Sequence, residues 1–185
     1  MIKNQLLIIA CLLLLSCGQM SHRQAILINS NNWKQIIDEK LPLLGHRNWI
    51  LVVDKAFPQQ NAAGMEYIYT NEELLPTLQY VLDKVNASSH VKPVIYRDKE
   101  LTYLTEEQAK GVKSFTTASE KIFNGKPVQT LLHDSVFTKL AAASKFFKIL
   151  VIKTNGTIPY SSVFLQLDCA YWNSDQEAAL RSTLK

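Results

Sequence analysis

The sequence has few of the residues that mark several protein classes. Its 185 residues include only 6 Gly, 6 Pro and 3 Cys. Glycine and proline are too few for a fibrous or linker-like chain, and a hydrophobic fraction of 47% is too high for intrinsic disorder. The net charge is only +4, and basic residues alternate with acidic ones, which argues against a nucleic-acid partner. The length fits one domain that can bury a core without disulfides.

Motifs of several enzyme classes are also absent. The sequence contains no G-x-S-x-G, no G-x-x-x-x-G-K and no G-x-G-x-x-G, which excludes the usual signatures of α/β-hydrolases, P-loop proteins and dinucleotide-binding domains. Its four histidines, His22, His46, His90 and His133, are not spaced as zinc ligands. We therefore predict neither a metal site nor an organic cofactor.

The first sixteen residues have the pattern of a secretory signal peptide. Lys3 supplies a positive charge, and residues 6–15 form an apolar run too short to span a membrane. The run ends in Leu-Leu-Ser-Cys-Gly at residues 14–18, which resembles a bacterial lipobox. That resemblance implies that Cys17 is acylated and becomes the first residue of the mature chain. A plain signal peptide is the alternative.

This interpretation divides the chain into a signal peptide (1–16), a lipid anchor and tether (17–30), one domain (31–172) and a C-terminal tail helix (173–185). The predicted location is the bacterial cell envelope, outside the cytoplasm and anchored by Cys17. No aspartate follows Cys17, which favours the outer over the inner membrane and leaves the leaflet open. Because Cys11 leaves with the signal peptide, Cys169 has no partner within the domain, and its place in a predicted strand indicates packing.

Hydrophobic periodicity predicts alternating helices and strands. We expect helices over residues 31–44, 75–86, 105–123 and 135–146, and a short tail helix opened by a capping box of Ser174 and Glu177. We expect strands over residues 49–53, 65–70, 91–96, 128–132, 147–152 and 163–167. The predicted fold class is α/β: a single domain with a central, mostly parallel sheet and helices on both faces.

Local signals make some of these boundaries specific. A capping box of Thr105 and Gln108 is expected to open the third helix, and Asp134 to cap the fourth. The last two strands are expected to be joined by a turn with Asn155-Gly156 at its tip.

Two polar residues flank the first predicted strand. His46 lies in the loop before it, and Asp54 follows it directly. Asp54 is therefore expected at the carboxyl edge of the sheet, where open α/β sheets bind their ligands. The strand separates the two residues, so they should not touch within one subunit. The local pattern leaves a second interpretation open, in which His46 is a capping histidine and Asp54 forms a turn.

The spacing of these residues resembles the opening signature of the RbsD/FucU family, which comprises ribose pyranase and fucose mutarotase. The two motifs are LGH at residues 44–46 and VVDKAFP at residues 52–58. Residues 75–82 resemble the family's proline-led helix, and residues 149–152 and 160–163 its closing hairpin. The resemblance covers roughly residues 30–170 and implies an RbsD-like fold.

The resemblance also implies roles for individual residues. His46 is the expected proton donor, Asp54 a sugar-binding residue and His133 a substrate contact. Tyr160 and Ser162 fall on the family's Tyr-x-Asn motif, so a serine with one short hydroxyl replaces an amide. Family members form rings in which neighbouring subunits complete the pocket. The resemblance therefore implies a homo-oligomeric ring, a pentamer or a decamer.

The function predicted in this way is a monosaccharide mutarotase or pyranase tethered to the envelope. Anomer or ring exchange needs a proton delivered to the ring oxygen and one removed from the anomeric hydroxyl. A histidine titrates near neutral pH and suits both directions without a cofactor. Phe57, Trp49 or Trp172 could stack on a sugar, although core packing is the simpler interpretation. The alternatives are a non-catalytic carbohydrate-binding lipoprotein and a structural envelope lipoprotein.

Overall fold

The computed structural model describes residues 32–184. The predicted signal peptide, lipid anchor and tether, including Cys17 and His22, lie outside the described residues. The described residues form one six-stranded sheet and five α-helices. None of these helices combines the length and hydrophobicity that a membrane crossing requires.

The sheet is mixed and mostly parallel. Its strands are β1 (Trp49–Val53), β2 (Met65–Tyr69), β3 (Val91–Asp98), β4 (Val128–Leu131), β5 (Ile149–Lys153) and β6 (Val163–Cys169). They lie in the order β2-β5-β1-β6-β3-β4, and only β6 runs antiparallel to its neighbours among these six. Five strands therefore end at one edge of the sheet, the carboxyl edge. The edge at which β6 ends is the amino edge.

Helices cover both faces of the sheet. They are α1 (Trp33–Lys40), α2 (Leu74–Ala87), α3 (Val112–Phe123), α4 (His133–Ala143) and α5 (Ser174–Thr183). Apolar residues of α1, α2 and α3 pack on one face, and those of α4 pack on the other. All five residues of β1 are buried, which is typical of a strand enclosed between two layers of helices. The predicted α/β class is confirmed.

The predicted start of the third helix at residue 105 is wrong. Thr105 and Gln108 do exchange the two hydrogen bonds of a capping box, at 3.0 and 3.3 Å, but these close only a turn. Gly111 then adopts a left-handed conformation with φ +88°, so α3 begins at Val112. A capping box predicts that a turn can begin and does not determine how far the helix continues.

The predicted cap on α4 is also wrong. Asp134 lies inside the first turn of α4 and does not precede it. Instead, the carboxylate of Glu100 accepts the backbone N–H of His133 with both oxygens, at 3.0 and 3.1 Å. A capping carboxylate can thus come from a segment distant in sequence, because the exposed N–H groups of a helix start need only an acceptor nearby.

Other helix ends differ from the prediction by a few residues, and α4 ends at Ala143 and not at residue 146. The first helix ends at Lys40 and continues as a 3-10 turn over Leu41–Leu43. The capping box of α5 is formed by Asn173 and Gln176, one residue before the predicted pair.

The expected turn between β5 and β6 is a crossover and not a hairpin, because β1 lies between the two strands. The connecting segment passes over the carboxyl end of β1. Thr154 donates its backbone N–H and its hydroxyl to Val53 O, at 3.0 and 2.8 Å, and Lys55 donates its N–H to Gly156 O at 2.8 Å. The crossing brings the residues that precede β6 against the residues that follow β1.

Candidate functional site

Five polar residues meet at the carboxyl edge of the sheet, and we refer to them as the carboxyl-edge cluster. Its members are Asp54 after β1, Asp98 at the end of β3, His133 after β4, and Tyr160 and Ser162 before β6. Four of the five are residues that the sequence predicts as site residues; Asp98 is the addition. The shared direction of β1, β3 and β4, with the reversed direction of β6, brings all five to the same edge.

Ser162 holds Asp54 in place. Its hydroxyl donates to Asp54 Oδ2 at 2.7 Å and accepts the backbone N–H of Asp54 at 3.1 Å. The other oxygen of Asp54 accepts the N–H of Ala56 at 2.8 Å. Ser162 is buried, whereas Asp54 is half-buried. In this arrangement Ser162 orients the carboxylate of Asp54, and Asp54 is the member of the pair that a ligand can reach.

Asp98 and His133 form a second pair. Asp98 Oδ2 lies 2.9 Å from His133 Nδ1, and Asp98 is only 1% exposed whereas the His133 side chain is 38% exposed. Among the described residues, the second oxygen of Asp98 is buried without a hydrogen-bond partner. An ionised carboxylate can only accept a hydrogen bond, so His133 donates its Nδ1–H to Asp98. This contact directs the Nε2 of His133 towards the exposed side.

Burial raises the pKa of Asp98 to about 6. The hydrogen bond from His133 opposes this shift, and the negative charges of Glu100 and Asp54 add to it. The two aspartates therefore belong to one electrostatic cluster. A carboxyl group with this pKa gains and loses its proton near neutral pH, which is a property of many functional sites.

Tyr160 lies against the exposed side of His133. The two rings meet edge to face with centroids 5.3 Å apart, and Phe137 contacts the same imidazole at 4.8 Å. Tyr160 has a φ of +57°, a left-handed conformation that is rare for an aromatic residue. Such strain persists only where the surrounding structure enforces it, and it is concentrated at functional sites.

The three aromatic residues considered from the sequence for stacking on a sugar are not exposed members of this cluster. Trp49 and Phe57 are buried in the core, where Phe57 stacks on Phe137 at 5.4 Å. Trp172 is partly exposed and donates its indole N–H to Glu177. Packing is thus the role of Trp49 and Phe57, whereas the indole of Trp172 is exposed and held by its hydrogen bond to Glu177.

His46 lies at the amino edge, at the opposite end of β1 from Asp54. Five strand residues rise about 16 Å, so the two side chains do not meet within one chain. His46 is exposed, and its Nδ1 lies 3.1 Å from Asp168 Oδ1 at the end of β6. The structure therefore brings Asp54, His133, Tyr160 and Ser162 together and leaves His46 apart.

Asp98, Asp168 and Glu100 were not predicted from the sequence. Asp98 follows the charged residue Arg97 and does not follow an apolar run directly, so the pattern that singles out Asp54 after β1 does not mark it. Asp168 directly follows the strand predicted over residues 163–167, and nothing in the local pattern indicates that it faces His46. Within residues 32–184, no group of three or more His, Cys, Asp and Glu side chains is arranged to hold a metal ion.

Comparison with known proteins gives structural matches only. No family model matches the chain, and no curated protein matches it. The structure of Bacillus subtilis RbsD complexed with D-ribose is similar, with 19% sequence identity, a TM-score of 0.49, and coverage of 75% of this chain and 92% of that one.

Two further solved structures show the same degree of similarity. A fucose mutarotase from Streptococcus pneumoniae in complex with L-fucose has 16% identity and a TM-score of 0.47, with 69% of this chain and 87% of that one covered. FucU from Bifidobacterium longum has 15% identity and a TM-score of 0.46, with 70% and 92% covered. These three solved structures are an RbsD, a fucose mutarotase and a FucU, of the family that the sequence motifs resemble.

Proposed function

We propose that this chain binds a free monosaccharide and interconverts its anomeric or ring forms, with His46 as the proton donor. The observation that carries the proposal is the carboxyl-edge cluster. Two carboxylates, an imidazole and a phenol occur together on a chain whose LGH and VVDKAFP motifs resemble those of sugar mutarotases. Hydroxyl groups of a sugar both donate and accept hydrogen bonds, and this set of side chains offers partners for both.

The reaction requires only proton transfers. Ring opening removes the proton of the anomeric hydroxyl, breaks the bond between the anomeric carbon and the ring oxygen, and adds a proton to that ring oxygen. The electron pair of the broken bond goes to the ring oxygen, and a carbonyl forms at the anomeric carbon. Closure on the other face, or by another hydroxyl, reverses these steps and gives the other anomer or ring size. His46 would deliver the proton to the ring oxygen, and the carboxyl-edge cluster would hold the hydroxyls.

A second copy of the chain would supply the carboxyl-edge cluster with a His46, which the His46 of the same chain is too far away to do. If the amino edge of one subunit packs against the carboxyl edge of the next, His46 of the first faces Asp54 and His133 of the second. Such a head-to-tail contact is heterologous and closes into a ring when the rotation allows it. Both edges carry exposed large apolar side chains that such a contact could bury.

Those apolar side chains occur on both edges. Leu43 and Phe146, each 82% exposed, belong to the segments that lead into β1 and β5 at the amino edge. Tyr103 and Leu132 are exposed in the segments that follow β3 and β4 at the carboxyl edge. We therefore propose a homo-oligomeric ring in which each pocket takes residues from two subunits.

The test is magnetisation exchange between sugar anomers, measured by NMR with purified protein and a panel that includes ribose, fucose, glucose and galactose. We expect at least one sugar to exchange about tenfold or more faster than in buffer, since general acid–base catalysis typically contributes about 10²–10⁴-fold. Equal rates with and without protein for every sugar would contradict a catalytic role.

A non-catalytic carbohydrate-binding lipoprotein is the second candidate. It is favoured by Ser162, whose only donor is taken by Asp54, so that it offers a sugar no hydrogen-bond donor in place of the two that an amide has. Chemical-shift changes on the protein that saturate with sugar, without faster exchange, would support this candidate.

Ser162→Ala is expected to weaken sugar binding several-fold, because the Asp54 carboxylate loses the hydroxyl that orients it. Removing a buried hydroxyl should also lower the free energy of unfolding by about 1–2 kcal/mol. Ser161 is the matched control, since its equally buried hydroxyl donates to Ile158 O at 2.6 Å. Ser161→Ala should cost a similar amount of stability and leave sugar affinity unchanged. Equal sugar affinities in titrations of the two variants would refute the role given to Ser162.

We further propose that the chain is a lipoprotein held in the bacterial envelope through Cys17. The support is the segment at residues 14–18, which resembles a lipobox. Cys17→Ala should move the protein from the membrane fraction to the soluble fraction after cell lysis, because a lipid chain is the proposed anchor. Retention of the variant in membranes at the wild-type level would contradict the tether, whatever the result for sugar exchange.

A further inference from the structure

At the amino edge, His46 contacts a second carboxylate. Asp168, the penultimate residue of β6, places Oδ1 3.1 Å from His46 Nδ1. The backbone holds this pair together: Arg47 donates its N–H to Leu167 O at 2.9 Å, and Leu167 donates its N–H to Asn48 O at 2.8 Å. These two hydrogen bonds extend the pairing of β1 and β6 beyond β1 and lay the His46 loop over the end of β6.

The backbone at this point carries local strain. Arg47 has a φ of +72°, a left-handed conformation that is unfavourable for a residue with a Cβ. Its guanidinium lies over the ring of Phe147, 5.9 Å from the centroid. A loop held in an unfavourable conformation by its neighbours indicates that its geometry matters beyond chain connection.

The partners of the His46 ring define its tautomer. A carboxylate can only accept a hydrogen bond, so the contact with Asp168 places a proton on Nδ1. An arginine can only donate, and Arg47 Nε lies 3.3 Å from His46 Nε2, so that nitrogen carries the lone pair in the neutral ring. Both contacts agree on one neutral form, with a proton on Nδ1 and a lone pair on Nε2 that accepts the hydrogen bond of Arg47 and can take up a proton when a sugar hydroxyl replaces that contact.

We infer that Asp168 is a positioning residue for His46 in the proposed sugar exchange. It keeps Nδ1 protonated in both charge states of the imidazole, so that Nε2 is the atom that delivers the proton to the ring oxygen and later recovers one. This inference rests on the proposed function for its catalytic consequence, and on the contacts of the His46 ring with Asp168 and Arg47 for the tautomer.

Asp168→Asn provides the test, because it preserves the shape and removes the charge. An asparagine amide can donate to His46 Nδ1, which the carboxylate cannot do, so the other tautomer becomes accessible. We expect the turnover rate for sugar exchange to fall by about 10- to 100-fold and the KM to stay almost unchanged. The expected loss is smaller than for removal of the acid–base residue itself, because His46 is still present. Two-bond ¹H–¹⁵N correlation spectra of the His46 ring should show loss of the Nδ1-protonated form.

Lys92 offers a matched control. Its Nζ lies 3.5 Å from Asp168 Oδ2, so Lys92→Gln removes the other ionic partner of Asp168 and leaves the contact with His46 intact. We expect that variant to keep the wild-type tautomer and turnover rate. Asp168 is partly exposed, so neither variant creates a buried unpaired charge, and thermal unfolding should show both to be folded.

Failure of the proposed sugar exchange and failure of the role given to Asp168 would give different results. A wild-type protein that exchanges no sugar would contradict the proposed function, and the spectra would still measure what Asp168 does to the ring. A His46 ring that remains protonated on Nδ1 in Asp168→Asn would overturn the inference. An unchanged turnover rate in Asp168→Asn, with an active wild type, would overturn it as well.

Discussion

His46→Ala and His133→Ala are each expected to reduce catalysed sugar exchange by at least about 100-fold, and their co-assembly to restore about a quarter of the wild-type rate. The two histidines lie at opposite edges of one chain, so each pocket would combine His46 of one subunit with His133 of its neighbour. In a random ring of equal parts, half of the subunits carry an intact His46 and half carry an intact His133. A quarter of the contacts therefore join the two intact edges.

The measurement requires rings in which the two variants have mixed. The variants are co-expressed with different affinity tags, the mixed assemblies are isolated through both tags, and anomer exchange is followed by NMR. A co-assembly of His46→Ala with the double variant His46→Ala/His133→Ala is the control, because it contains no intact His46 and should stay inactive. Exchange in the first co-assembly that stays as low as in the single variants would show that the pocket is not shared between subunits.

The prediction has a specific physical origin, which is the length of β1. A monosaccharide is much shorter than the strand of about 16 Å that separates His46 from Asp54, so one chain cannot present both residues to one sugar. The sequence already implies this separation through the seven positions between the two residues. It does not reveal which other residues stand beside each of them, because those neighbours come from distant parts of the chain.

Local pattern was sufficient for most of the fold. The apolar run of β1 was predicted with its observed bounds, and its burial on both sides placed Asp54 at the carboxyl edge. The local sequence pattern did not predict which strands pair when they are distant in sequence. The insertion of β1 between β5 and β6 cannot be read from residues 153–160, which look like an ordinary hairpin turn, yet this insertion brings Ser162 onto Asp54.

The end of β3 shows why Asp98 was missed. The strand was predicted to stop at Tyr96 because two charged residues follow, but the structure buries both of them. Arg97 points to the face covered by α3, where its guanidinium lies 5.4 Å from the centroid of Phe123. Asp98 points to the other face and meets His133. Burial of a charge is costly, so sequence patterns treat charged residues as strand ends, and functional sites are the places where that rule fails.

Asp98→Asn is expected to stabilise the protein at neutral pH while impairing the proposed reaction. Asp98 has an ordinary pKa of 3.8 and a folded-state pKa of about 6, raised chiefly by burial. The folded state therefore binds more protons than the unfolded state between these two values, and the contribution of Asp98 to stability falls as the pH rises. Above pH 7 the buried charge costs about 3 kcal/mol, which asparagine avoids.

Thermal unfolding as a function of pH measures this effect. At pH 7.5 the melting temperature of Asp98→Asn should exceed that of the wild type by about 6–12 °C, and the difference should shrink towards zero as the pH falls below the unfolded-state pKa of 3.8, where Asp98 becomes protonated in both states. Asp134 is exposed in the first turn of α4 and provides the control, since Asp134→Asn should change stability little and without this pH dependence. A stability difference for Asp98→Asn that does not vary with pH would refute the raised pKa given to Asp98 in the folded state.

The cost of the buried charge is itself an argument for function. A fold under selection for stability alone would replace Asp98 with an uncharged residue, since its second oxygen has no partner among the described residues. What the charge provides is the orientation of His133 and a proton acceptor that titrates near neutral pH. Asp98→Asn should therefore lower catalysed sugar exchange at pH 7.5 by about tenfold or more even as it raises the melting temperature. A variant that gained stability and kept full exchange would show that Asp98 is a structural residue only.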